Sequence, residues 1–241
     1  MTHRIEMSFI FGGLLILLTP LVIPSVLAQD LYYSVSMVSV GEPLFEAQAI
    51  VNFFEPPSLL TAIWIAISTS PFRDLGIYIH QSTYFTWHPS NYVMDAHYMI
   101  HEAINQTRNA GLSFNFLVIY INFPITYNGN LIGGLADPMG PGNSGVIVTT
   151  FLPITADMIE MTTQHEVSHL YHAPDHVDAS NPHYWDDCVM SYRFAIYYPI
   201  YGTTSNWCVD CQSTIRSNID EYGYSFTPGG GWGGGGGHHK K

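Results

Sequence analysis

Along this chain the hydrophobic pattern changes period several times, and each change marks an element. Residues 30–70 alternate apolar and polar positions around "YYSVSMVSV" and then reach the apolar run "LLTAIWIAIS". Period-two alternation predicts a strand for the first stretch, and the second is also read as a strand. The segment "LGIYIHQSTYF" (75–85) predicts another, being rich in β-branched and aromatic residues. In "SNYVMDAHYMIHEAINQTRNAG" (90–111) the period lengthens: Val93, Ala96, Ile100, Ala103, Ile104 and Thr107 recur as one buried helical stripe. Ser90 or Asn91 is placed to cap this helix and Gly111 to end it. His97 and His101 stand four apart beside the stripe, a spacing that suits a metal. No third ligand is evident nearby, so a half-buried hydrogen-bonded pair is expected.

"FNFLVIYIN" (114–122) is nearly all apolar, as a central strand covered on both faces should be. A Gly/Pro/Asn-rich region follows, then the strand "GVIVTTFL" (145–152). Thr155 is placed to cap the next helix, with Asp157 in its first turn to favour the dipole. A shorter helix, "CQSTIRSNIDEYG", precedes the low-complexity end "PGGGWGGGGGHHKK". Strands and helices in this order predict one mixed α/β domain.

Composition narrows the function. The chain has 241 residues, 47% of them apolar, enough for a sizeable core. Its net charge is −12, with four arginines between residues 30 and 237 and both lysines at the end. Nothing there neutralises phosphates, which excludes nucleic acid as an expected partner. "SFIFGGLLILLTPLVIPSVLA" follows Arg4, and Val26 and Ala28 fit the −3 and −1 positions of a cleavage site before Gln29. The expectation is a signal peptide over 1–28, a domain over 29–226 and a flexible tail over 227–241. The protein would then be secreted; an uncleaved anchor facing outside is the alternative. The N-terminal segment or the tail offers a route to the cell envelope.

The chemistry gathers in "QHEVSHLYHAPDH" (164–176). On a helix His165 and His169 project from the same side and grip one ion, while Glu166 reaches a water on that ion. This is HExxH, in which zinc acidifies water and the glutamate takes its proton. A third ligand comes from His172, Asp175, His176 or His183. Pro174 takes Ala173 out of helical geometry, so the chain turns and swings Asp175 back toward the histidines. His172 is then a helix-end residue.

HExxH with a third ligand ten residues after its first histidine, then a distant methionine turn, resembles the metzincin zinc peptidases. Asp175 occupies that position, and "APDH" is similar to the Asp-ligand variant of snapalysin-type members. His172 stands where the family usually has its bend glycine. "CVMSY" (188–192) resembles the methionine turn, which implies Met190 as the apolar floor and Tyr192 as the hydroxyl on the metal or the oxyanion. Cys188-Val-Met190, seventeen residues, then Cys208-Val-Asp-Cys211 is the spacing of the archaemetzincins, which carry a second, structural zinc. Their first cysteine directly follows the third catalytic ligand. Here His176 holds that place, with an eleven-residue loop (177–187) before Cys188 and His183 within it as a rival ligand. A Cys₃His zinc site is implied; a disulfide with one spare thiol is the alternative for an exported chain.

The resemblance therefore implies a mixed twisted sheet with two main helices, one bearing HExxH, and a C-terminal helix. It implies a zinc-dependent endopeptidase acting on peptide or protein substrates, with Glu166 as general base and "LIGGLAD" (131–137) as the strand that binds substrate. The alternative is a zinc-stabilised extracellular binding or adhesive domain without catalysis.

Overall fold

The structure, a computed structural model, describes residues 32–45, 71–151, 155–193 and 204–226. The apolar run 59–68, the N-terminal segment and the Gly-rich tail lie outside these residues, as do the expectations attached to them. No helix among the described residues is long and apolar enough to cross a membrane.

One sheet organises the chain. Strands β1 (Tyr32–Gly41), β2 (Ile77–Thr86) and β3 (Phe116–Ile121) are followed by a small hairpin of β4 (Ile125–Tyr127) and β5 (Asn130–Ile132). Then come β6 (Gly134–Asp137), β7 (Ser144–Thr149) and, near the end, β8 (Tyr224–Phe226). The sheet order is β2-β1-β3-β7-β6, with β8 added to the first residues of β1. β2, β1, β3 and β7 run parallel; β6 runs antiparallel to β7 at the sheet's edge. The hairpin turns on Asn128 and Gly129, both at positive φ, as a tight two-residue β-hairpin requires.

Two helices cover opposite faces. Helix α1 (Ala96–Asn109) buries Ala96, Met99, Ile100, Ala103, Ile104 and Thr107. It packs on the side chains of Val38, Val40, Leu117, Ile119, Ile121 and Ile147. Helix α2 (Ala156–Leu170) puts Ile159, Met161, Val167 and Leu170 against Phe116, Val118, Tyr120, Val146 and Val148 on the other face. Alternate residues of β3 and β7 thus serve different cores, which is why both strands read as unbroken apolar runs and are buried at every position. Helix α3 (Val209–Ser217) joins the α2 side through Cys211 and Ile215.

Two boundaries differ from the sequence expectation. Helix α1 is capped by Asp95, whose carboxylate accepts from the Tyr98 N–H at 2.9 Å, and not by Ser90 or Asn91. The segment before it is engaged elsewhere, because the Met94 carbonyl accepts from both the N–H and the hydroxyl of Thr126 in β4. Ser90 instead gives its N–H to Glu102 Oε1. The last helix ends at Ser217, earlier than the sequence suggests, and frees the chain to form β8. Thr155 does cap α2, through the Met158 N–H.

Candidate active site

Helix α2 carries His165, Glu166 and His169 toward the edge of the sheet. Each imidazole is fixed through Nδ1, which meets a backbone carbonyl: Val189 at 3.0 Å for His165, Ala173 at 2.8 Å for His169. In the neutral ring, donation from Nδ1 leaves Nε2 as the lone-pair nitrogen. The two Nε2 atoms stand 3.2 Å apart, and Asp175 Oδ1 lies 3.2 Å from each. Bonds of about 2.0–2.1 Å to a tetrahedral zinc put neighbouring N and O ligands ~3.3 Å apart. The three atoms therefore form one face of such a tetrahedron and leave one vertex open. Asp175 Oδ1 is buried and makes no hydrogen bond; only the two imidazole nitrogens face it, and a cation held between the three atoms would satisfy it.

Local electrostatics agree. Burial alone would lower the basicity of His165, but Asp175 and Glu166 beside it raise the imidazole to about 9. Burial opposes ionisation of Asp175, and the two imidazoles nevertheless hold its carboxyl well below the usual carboxylate range. The pocket favours positive charge between these atoms. Glu166 is 6% exposed, and burial pushes its carboxyl up. Tyr192 donates its hydroxyl to Asp175 Oδ2 at 3.2 Å; burial first, then Asp175, pushes it up to about 12.

The turn that brings Asp175 into place is made by His172. Its φ is +63°, the left-handed region that favours glycine. The His172 N–H bonds to the His169 carbonyl and the Ala173 N–H to the Ser168 carbonyl, the paired bonds of a Schellman helix end. Its ring reaches Glu221 Oε2 at 2.7 Å. A histidine thus occupies the conformation that the bend demands, anchored from the far side.

His176 links two sites. Its N–H bonds to the Met190 carbonyl and its carbonyl accepts from the Tyr192 N–H, so the segment 188–192 is laid beside it. The Met190 side chain is fully buried in the core on the α2 side. The His176 ring points the other way: Nε2 is 3.3 Å from both Cys208 Sγ and Cys211 Sγ. Cys188 Sγ and Cys211 Sγ are 3.9 Å apart, far beyond the ~2.05 Å of a disulfide. All three cysteines are free and buried. Tetrahedral zinc would set N–S and S–S edges of roughly 3.5 and 3.8 Å, which these residues approach. The Cys211 thiol beside Cys188 pulls the latter's pKa down to about 5, while burial pushes Cys208 up and the hydrogen bond with Cys188 pushes Cys211 up, so the cluster by itself favours one thiolate among the three. His183 is not in this group; its two ring nitrogens engage Asp186 and Asp210.

A cleft of about 370 Å³ opens over His165 and Glu166, bounded by Ile132, Gly134, Val189 and Tyr192. Strand β6 ends the sheet, so its outer backbone edge faces this cleft unpaired by any other described strand. Gly134 lies so close to Glu166 that an added Cβ would sit 2.5 Å from Oε1. That dependence was missed in the sequence, although the pair Gly133-Gly134 in a strand is the usual sign of close approach. The Val189 carbonyl left no such sign, since backbone groups carry no residue signature.

No protein-family model matches the chain, and no curated protein matches it in sequence. Among solved structures, archaemetzincin from Methanopyrus kandleri is similar at a TM-score of 0.55 and 14% identity, covering 77% of this chain and 96% of the other. Metalloproteinase-II from Bacteroides fragilis is similar at 0.50 and 15%, covering 77% of this chain and 53% of that longer one. A chain in a chaperone–substrate complex matches at 0.51 and 15%, over 80% of this chain and 35% of its own. The chain shares the mixed α/β fold of these structures.

Proposed function

We propose that the protein is a zinc-dependent endopeptidase of metzincin type. The observation that carries this reading is the convergence of His165 Nε2, His169 Nε2 and Asp175 Oδ1 at mutual distances of 3.2 Å, with Glu166 buried beside them under an open cleft. These three residues hold the catalytic zinc; when bound, the ion supplies Lewis-acid polarisation of the scissile carbonyl and acidifies water.

The chain's own residues do the rest. The outer edge of β6 pairs with an extended substrate through main-chain hydrogen bonds, which selects backbone more than side chain. Glu166 accepts the proton of the attacking water and delivers it to the leaving nitrogen. Its burial suits that double role by bringing its protonated and ionised forms closer in energy. Tyr192 keeps its proton and rests on Asp175, placed at the cleft to donate to the oxyanion as charge develops. His176, Cys188, Cys208 and Cys211 hold a second, structural zinc. Export through the N-terminal segment belongs to the same proposal, since a peptidase of open specificity is safest outside the cell.

Peptide hydrolysis by Glu166→Gln beside the parent tests the reading. The variant is expected to lose about 10²–10⁴-fold in kcat with its zinc content unchanged. Equal turnover in both proteins, or turnover in neither with zinc retained, overturns the peptidase and leaves a zinc-stabilised binding domain.

A further inference from the structure

The pair His97 and His101 finds the third partner that the sequence did not reveal. Asp137, the last residue of β6, turns its carboxylate toward the first turns of α1. Its Oδ2 lies 3.2 Å from His97 Nε2 and 3.0 Å from His101 Nε2, and the two nitrogens are 3.3 Å apart. These edges match those of the His165–His169–Asp175 face within 0.2 Å. Both sets take two histidines four apart on a helix and one aspartate from another segment. The Asp137 side chain is only 10% exposed, yet its Oδ2 is buried without a hydrogen bond, the same condition as Asp175 Oδ1. A buried carboxylate oxygen that faces two imidazole nitrogens and makes no hydrogen bond is placed to share a cation with them.

We propose that His97, His101 and Asp137 form a further divalent-metal site, on the opposite face of the sheet from the catalytic cleft. Two imidazoles and one carboxylate favour a borderline ion of the zinc class over calcium or magnesium, which take all-oxygen sets. The histidines are 53% and 40% exposed, so solvent completes the coordination. The residue after the first histidine is Tyr98, not a glutamate, so the site has no general base in the position that Glu166 fills. It binds without hydrolysing. Its effect is mechanical: the ion ties α1 to the end of β6, the strand whose other end, Gly134, touches Glu166.

Equilibrium dialysis of the full chain against micromolar free zinc chloride, followed by metal analysis, tests the site. The double variant His97→Gln/His101→Gln is expected to bind one zinc equivalent fewer than the parent, with peptide hydrolysis retained. The same loss is expected when the pair is changed in a His165→Gln/His169→Gln background, which makes the result independent of the catalytic proposal. With the Cys₃His group already filled by one zinc equivalent, further zinc should raise Tm in that background and not once His97 and His101 are also replaced. Equal zinc content with and without the histidine pair, in folded proteins by circular dichroism, overturns the site. Equal binding of calcium and zinc overturns its assignment to the zinc class.

Discussion

At the scale of single residues, His172 shows how a side chain is tolerated where a glycine is the natural choice. Holding a non-glycine residue in the left-handed region costs roughly 1–2 kcal/mol. Its half-exposed pair with Glu221 returns up to about 1 kcal/mol. His172→Gly relieves the strain, loses the pair and adds unfolded-chain entropy, so its stability is expected within about 1 kcal/mol of the parent. His172→Val keeps the left-handed φ, adds β-branching and loses the pair; a loss of ~2 kcal/mol or more is expected. Urea denaturation of the three proteins separates these outcomes. A valine variant as stable as the parent would show that the bend does not depend on this φ.

At the scale of elements, the edge strand β6 and helix α2 meet through Gly134 and Glu166. Gly134→Ala places a methyl where Glu166 Oε1 now lies, so either the strand or the carboxylate must shift. A displacement approaching 1 Å at a catalytic group costs about 10²-fold in rate. We therefore expect kcat for peptide hydrolysis to fall by that order with zinc content intact; an unchanged kcat would detach Glu166 from strand position. Much of this layer was legible in the sequence. The buried β3 and β7, the Thr155 cap and the HExxH pair follow from local pattern. Asp175 was reachable because Pro174 signals that the helix has ended within a few residues of His169, although the turn itself is made earlier, by His172 at positive φ. The start of α1 was not legible, since Asp95 prevails over Ser90 only because β4 holds Met94. Asp137 was hidden for a related reason: it joins His97 and His101 through the antiparallel pairing of β6 with β7, which no local spacing encodes.

At the scale of the molecule, the Cys₃His group closes the C-terminal part of the chain onto the active-site helix. His176, Cys188, Cys208 and Cys211 draw together the turn after α2, the methionine segment and the start of α3. The same region is fastened by Trp207, whose indole N–H donates to Ser168 Oγ at 2.9 Å, and by Gln164, which donates to the Ser205 carbonyl. His165 depends on this clamp, because its Nδ1 partner, the Val189 carbonyl, lies between Cys188 and Met190. Under the proposed function, removing the structural ion would therefore act on the catalytic ligands at a distance. Free energy of metal binding at such sites is folding free energy, and a few kcal/mol shift Tm by about 2–4 °C each in a domain this size. A strong chelator at neutral pH is expected to lower Tm by about 10 °C. Cys188→Ser should begin near that lowered value, bind one zinc fewer and respond much less to chelator. Calorimetry with metal analysis checks both. If the chelator leaves Tm unchanged while the cysteines titrate as free thiols, the clamp is held by packing and hydrogen bonds alone.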